Sequence, residues 1–119
     1  MLRPINTVKS SELIINESHS KISKPDYSKP LPWGVLRTDY MLEVDWDEEK
    51  GWEKPVINPF HNLQIDRRNS TLHYAIQLFE GMKAYRNKDI ITLFRPEMNM
   101  KRLLVSAERI GLPVSPIFY

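Results

Sequence analysis

The 119 residues contain no cysteine, so this chain can build neither a disulfide framework nor a thiolate metal site. Only 4 glycines occur, and none belongs to a loop of the phosphate-cradling kind. No apolar run approaches the roughly 18 residues of a membrane span. Neither sign of charge dominates: 17 basic and 15 acidic side chains are interspersed, which points to no nucleic-acid and no membrane partner. His19, His61 and His73 stand far apart and show no metal-ligand spacing, so no metal is expected. A Ser–His–Asp order is absent, as are internal repeats and low-complexity segments.

What is present suits a folded chain, with 41% apolar residues and 3 tryptophans. Residues 1–20 lack the apolar core of a secretory signal. Arg3 and Lys9 are offset by Glu12 and Glu17, unlike the acid-poor composition of a mitochondrial presequence, so a cytoplasmic protein is expected. Residues 13–16 read as a short strand that adds to a sheet edge. Residues 21–32 carry three prolines and read as an extended connector.

Trp33-Gly34 opens the first strong strand signal. From residue 36 to 46 the alternation is strict: Leu36, Tyr40, Leu42, Val44 and Trp46 on one face, Arg37, Asp39, Glu43 and Asp45 on the other. A turn over 47–51 leads to a return strand around 55–65, which Pro55 and Pro59 would keep at an edge or break.

The stretch STLHYAIQLFEG predicts an amphipathic helix over 70–81, with Ser70 as N-cap, an apolar stripe of Leu72, Ile76 and Phe79, and Gly81 as its left-handed stop. A hairpin follows: strand 82–86, turn 87–89, strand 90–94. Pro96 suits the first position of a second helix, with Asn99 as another candidate start. Leu103, Ala107 and Ile110 form its buried stripe, Glu97 and Lys101 can pair one turn apart, and Gly111 with Pro113 ends it. Residues 116–119 are apolar with no closing element, the expected look of a chain cut short. The expected class is α+β, an antiparallel sheet with two helices.

Individually the polar and aromatic residues name no reaction. Arg102 lies in the first turns of the second helix, where a guanidinium fork suits a phosphate, although an arginine on a helix face is most often simply solvated. Tyr74 and Phe79 suit either a pocket wall or a core. Trp33 suits an apolar cap or an anchor for the connector.

Taken together, LHYAIQLFEGMKAYR and ITLFRPEMNMKRLLVSAERIGLPV resemble the branched-chain amino-acid aminotransferases of the eukaryotic type. The likeness extends back through LRTDYMLEVDWDEEKGWEKPVINPFHNLQI and KPDYSKPLPWG to SSELIINES. It implies a fold type IV enzyme dependent on pyridoxal 5'-phosphate, with leucine, isoleucine or valine as amino donors, 2-oxoglutarate as acceptor, and a homodimeric assembly. By that resemblance residues 1–32 are a lead-in and connector, and 33–119 are an incomplete small domain. Arg102 matches the arginine on the cofactor phosphate. Phe79 matches a wall of the side-chain pocket, and Tyr74 a pocket tyrosine that the family's dimer presents to the neighbouring subunit. Trp33 stands where the family usually has phenylalanine, and Lys101 where it often has aspartate. No catalytic residue is assigned within the chain, because the family's Schiff-base lysine belongs to a second domain; nothing marks Lys83, Lys88 or Lys101 as that amine. The resemblance leaves two alternatives: another fold type IV enzyme, such as a D-amino-acid transaminase or aminodeoxychorismate lyase, or a non-catalytic binding or dimerisation module. The isolated chain is expected to be inactive. A lysine-bearing continuation of the reading frame beyond Tyr119 would favour the enzyme, and a stop there the module.

Overall fold

The computed structural model describes residues 6–19, 22–32 and 34–114, and the chain divides into two units, Met1–Gln64 and Ile65–Tyr119. Within the first, a turn of 3-10 helix (Ser10–Glu12) precedes β1 (Ile14–Ile15). β2 (Tyr40–Glu43) and a small hairpin of β3 (Trp46–Asp47) and β4 (Gly51–Trp52) follow, then β5 (Val56–Pro59). The sheet order is β1-β5-β2. β1 runs parallel to β5 with Ile14 opposite Val56, and β2 runs antiparallel with Tyr40 opposite Pro59 and Glu43 opposite Val56.

β5 is therefore central, not the edge or broken strand that its prolines suggest. The prolines flank the ladder instead of interrupting it. Pro55 precedes β5 and uses its carbonyl, which accepts from Ile14 N at 3.0 Å; Pro59 is the last residue of the strand. The edge strand expected at 13–16 is present as β1, closed by Asn16 N donating to Ile57 O at 2.9 Å.

The alternation over 36–46 does not become one long strand. A strand persists only where a neighbour offers a ladder. β5 offers one to residues 40–43 alone, and past Glu43 the chain changes partner, pairing Trp46 with Trp52 and Asp47 with Gly51. Asp47 Oδ1 accepts from Glu49 N and Lys50 N at 2.9 and 3.1 Å, which makes the turn between β3 and β4. Ahead of β2, Asp39 holds the connector: its Oδ1 accepts from Ile22 N at 2.6 Å and its carbonyl from Phe60 N at 2.9 Å. The Arg37 guanidinium lies 4.8 Å over the Phe60 ring, a cation–π contact. Residues 22–32 have neither strand nor helix, as a proline-rich connector should.

The second unit starts from a polar loop. Asp66 accepts from Arg68 Nε and Nη2 at 3.1 and 2.9 Å and from Arg68 N at 2.8 Å, which fixes the approach to α1 (Ser70–Tyr74). The N-cap is Asn69, one residue earlier than expected, with its side chain accepting from Thr71 N at 2.8 Å.

This helix stops far short of Gly81. Ala75 adopts φ 52°, ψ 32°, and Thr71 Oγ1 donates to Ile76 O at 3.0 Å across the break. Gly81 has no positive φ, so the left-handed stop falls on an alanine. The physical reason is that the apolar stripe finds nothing to pack on among the described residues: Leu72, Ile76 and Phe79 are all exposed, and helices this short depend on packing. Residues 75–83 form an irregular segment instead.

β6 (Ala84–Asn87) and β7 (Ile90–Leu93) make the expected hairpin, with Asn87 opposite Ile90 and a two-residue turn at Lys88-Asp89. α2 (Pro96–Arg109) starts with proline in its first turn, after Arg95 at φ 47°. Asn99 lies inside α2 rather than at its cap. Glu97 sits 3.7 Å from Arg95, in place of the expected pairing with Lys101. The helix closes on Gly111 (φ 71°), with Gly111 N donating to Glu108 O at 3.2 Å and Leu112 N to Ala107 O at 2.9 Å, the paired bonds of a Schellman cap. Of the expected stripe, Ala107 is buried, Leu103 half-buried and Ile110 exposed. The elements are thus of the α+β class, but the described residues form three small sheets, one of them mixed, instead of a single antiparallel one.

Candidate functional site

Arg102 points its guanidinium back toward the segment between α1 and β6. Its Nε donates to Glu80 Oε2 at 3.2 Å and its Nη2 to Glu80 Oε1, a two-pronged grip of a planar cation on a planar carboxylate. Asn99, one turn earlier on α2, donates from Nδ2 to Glu80 Oε1 at 3.0 Å and to Gly81 O at 2.7 Å. Residues three apart share a helix face, so both side chains reach one loop. The Arg102 guanidinium, and secondarily Asn99, hold the Glu80 carboxyl below the usual carboxylate range. The Glu80 side chain is 14% exposed and that of Arg102 60%, so the acid is recessed and the base faces outward.

This arrangement leaves the Nη1 edge of Arg102 with no partner among the described residues, facing away from the carboxylate. A guanidinium held by one edge and open on the other is a fixed donor pair for an oxyanion, and its geometry matches phosphate. The pair is close to electrically neutral, so what it offers is directed hydrogen bonding more than net positive charge. On that donor chemistry a phosphate-bearing group fits.

Phe79 immediately precedes Glu80 and is 94% exposed, so the segment pinned to Arg102 also presents a bare aromatic ring. Tyr74 ends α1 at 79% exposure, with its ring 6.4 Å from that of His73. No hydrogen bond or ring contact among the described residues links Tyr74 to Phe79 or Arg102. His73 Nε2 lies 2.6 Å from Arg67 O, which gives this histidine a structural partner. Trp33 lies outside the described residues. The motifs single out Arg102 and Phe79 but not Glu80 and Asn99, which tie α2 to the segment that carries Phe79. The only signal for Glu80 was an acid inside the same LFEG motif as Phe79.

No protein-family model matches the chain. Among curated proteins it is 47% identical over 109 residues to a mitochondrial branched-chain-amino-acid aminotransferase of Bos taurus, covering 91% of this chain and 28% of the relative. It is 49% identical over 111 residues to a cytosolic branched-chain-amino-acid aminotransferase of Ovis aries, covering 92% and 29%. To the cytosolic branched-chain-amino-acid aminotransferase of Saccharomyces cerevisiae it is 53% identical over 92 residues, covering 76% and 24%. Over about nine-tenths of its length the chain is thus similar to branched-chain-amino-acid aminotransferases. It spans about a quarter of the length of these relatives. Both cytosolic and mitochondrial members stand among them.

Proposed function

We propose that this chain is the phosphate-binding and pocket-wall portion of a fold type IV branched-chain amino-acid transaminase, one that moves the amino group of leucine, isoleucine or valine to 2-oxoglutarate. The observation that carries the reading is the open edge of Arg102, whose other edge is bound through Glu80 to the segment that carries Phe79, in a chain about half identical to aminotransferases over nine-tenths of its length. Residues 1–32 serve as lead-in and connector, and 33–119 as part of the small domain. The assembly is a homodimer, and the compartment is the cytosol.

Pyridoxal 5'-phosphate, when bound, supplies the carbonyl that accepts the amino group and a ring that withdraws electrons from the reacting carbon. The residues of this chain hold and orient it. The Nη1 edge of Arg102 takes the phosphate, and Glu80 and Asn99 keep the guanidinium plane fixed while it does so. Phe79 and Trp33 each serve as an apolar wall for the branched side chain, on which each methylene adds modest discrimination, and Tyr74 is presented to the pocket of the neighbouring subunit.

The test is an assay of the product of the intact reading frame, supplied with pyridoxal 5'-phosphate, 2-oxoglutarate and single amino acids. Glutamate formation should be fastest with leucine, isoleucine and valine. Preference for D-amino acids, or turnover of aminodeoxychorismate, would replace this reading with another fold type IV activity.

A further inference from the structure

The loop from α1 to β6 and the first turns of α2 meet through one recessed carboxylate, and that contact does more than neutralise a charge. Arg102 has a long side chain whose guanidinium, left in water, would sample many orientations. Here both Glu80 oxygens are engaged by it, Oε2 by Nε at 3.2 Å and Oε1 by Nη2. Oε1 is shared with Asn99 Nδ2 at 3.0 Å, and the same Asn99 nitrogen fastens the next residue through Gly81 O at 2.7 Å. The acid is thus tied to two side chains of α2, and its own backbone is tied again one residue on. Phe79 stands next to this double tether with its ring exposed.

We propose that Glu80 is a positioning residue: it sets the plane of the Arg102 guanidinium and locks it to the 79–81 segment, so that the phosphate grip and the Phe79 wall are placed as one unit. The inference rests on the reading of Arg102 as the phosphate ligand. A donor already ordered loses less freedom when its ligand arrives, so Glu80 contributes to phosphate affinity without touching the phosphate. A carboxylate near a phosphate also repels it. At this outward-facing edge that repulsion is screened within about 4–5 Å at 0.5 M salt, so under those conditions the positioning effect governs the sign.

The experiment uses the product of the intact reading frame in its apo form at 0.5 M salt, titrated with pyridoxal 5'-phosphate and, separately, with pyridoxal, which lacks the phosphate. Glu80→Gln keeps the shape and one acceptor oxygen while removing the two-pronged ionic grip. It should weaken pyridoxal 5'-phosphate binding by about tenfold, the scale of one charge-assisted hydrogen bond, and leave pyridoxal binding within about twofold. Equal weakening of both ligands would overturn the proposal, because a merely structural role moves both alike. Unchanged or tighter binding of the phosphate form would overturn it too. Arg102→Ala separates the two readings. If it weakens pyridoxal 5'-phosphate binding while Glu80→Gln does not, the positioning role falls and the phosphate role of Arg102 stands. If Arg102→Ala has no effect, both fall.

Discussion

Glu43 and His61 meet at a single oxygen: His61 Nε2 lies 3.0 Å from Glu43 Oε2, which also accepts from Asn58 Nδ2 at 2.6 Å. The other ring nitrogen, Nδ1, lies 2.9 Å from Asn62 O. Both imidazole nitrogens therefore face acceptors, an arrangement that only the doubly protonated ring satisfies fully. The Asn58 amide, and after it His61, lowers the Glu43 carboxyl below its ordinary value of 4.5. The Asn62 carbonyl, and after it Glu43, raises the His61 imidazole above 6.5.

The raised His61 value gives stability that is whole below pH 6.5 and is lost as pH rises through the folded-state value. The lowered Glu43 value gives stability that is whole above pH 4.5 and is lost as pH falls through its own folded-state value. The pair thus contributes fully between pH 4.5 and 6.5 and fades on either side. An NMR titration of the His61 ring should show a midpoint above 6.5. Glu43→Gln should lower that midpoint only in part, because the Asn62 carbonyl is the larger cause. A native midpoint at or below 6.5 would remove the pair from this role.

Gly51 is required twice over. Its φ of 81° is one that residues with a Cβ adopt at a cost of roughly 1–2 kcal/mol, and a Cβ there would collide with the Asn6 side chain. Asn6 is engaged like a strand partner: it donates to Trp52 O and accepts from Trp52 N, both at 2.7 Å. Gly51→Ala should therefore lose both the backbone preference and the Asn6 bonds. Gly34→Ala is the control, since Gly34 has φ 75° but nothing within 4 Å of a Cβ. Urea unfolding followed by tryptophan fluorescence should show Gly51→Ala as the more destabilising. In an Asn6→Ala background the difference should vanish; a difference that persists would mean that the collision lies elsewhere.

Arg102→Ala should weaken pyridoxal 5'-phosphate binding roughly 30- to 150-fold, the range for losing charge-assisted bonds to a dianion. Arg102→Lys should recover only part of it. An ammonium can approach a phosphate as a point charge, but it cannot hold Glu80 with one edge and phosphate with the other. Titration of the apo form of the intact reading frame's product with pyridoxal 5'-phosphate distinguishes the variants. Full recovery by lysine would show that charge alone matters at this position.

Features set by neighbouring residues were legible in the sequence. The β6–β7 hairpin is legible from the polar turn read at 87–89, though Asn87 itself pairs with Ile90, and both ends of α2 follow from Pro96 and Gly111. Features set by distant partners were not. The central place of β5 depends on Ile14 and Ile15 reaching Val56 and Ile57, a parallel pairing that no local pattern specifies. The helical spacing of Leu72, Ile76 and Phe79 was real, but period alone does not hold a helix whose face stays exposed. The site shows the same division. Arg102 is singled out by its motif, whereas its partner Glu80 lies 22 residues away and carries no mark of the pairing.

The 119-residue chain taken alone should not transaminate. Its site groups face water: Phe79 is 94% exposed, Tyr74 79%, and the Arg102 side chain 60%. A transaminase must hold its cofactor through one amine and keep water from the reacting atoms, and open rings do neither. Lys83, Lys88 and Lys101 are all exposed, so no enclosed environment singles out one of them. Incubation with pyridoxal 5'-phosphate, reduction with borohydride and peptide mapping should give label scattered over several lysines at low yield, with no leucine-dependent glutamate formation. The exposed Tyr74, Phe79 and Phe94 should also make the chain prone to association, visible in light scattering at rising concentration. One lysine labelled stoichiometrically, together with leucine-dependent turnover, would show that these residues enclose a complete site by themselves. The phosphate edge of Arg102 would then belong to a self-sufficient catalyst.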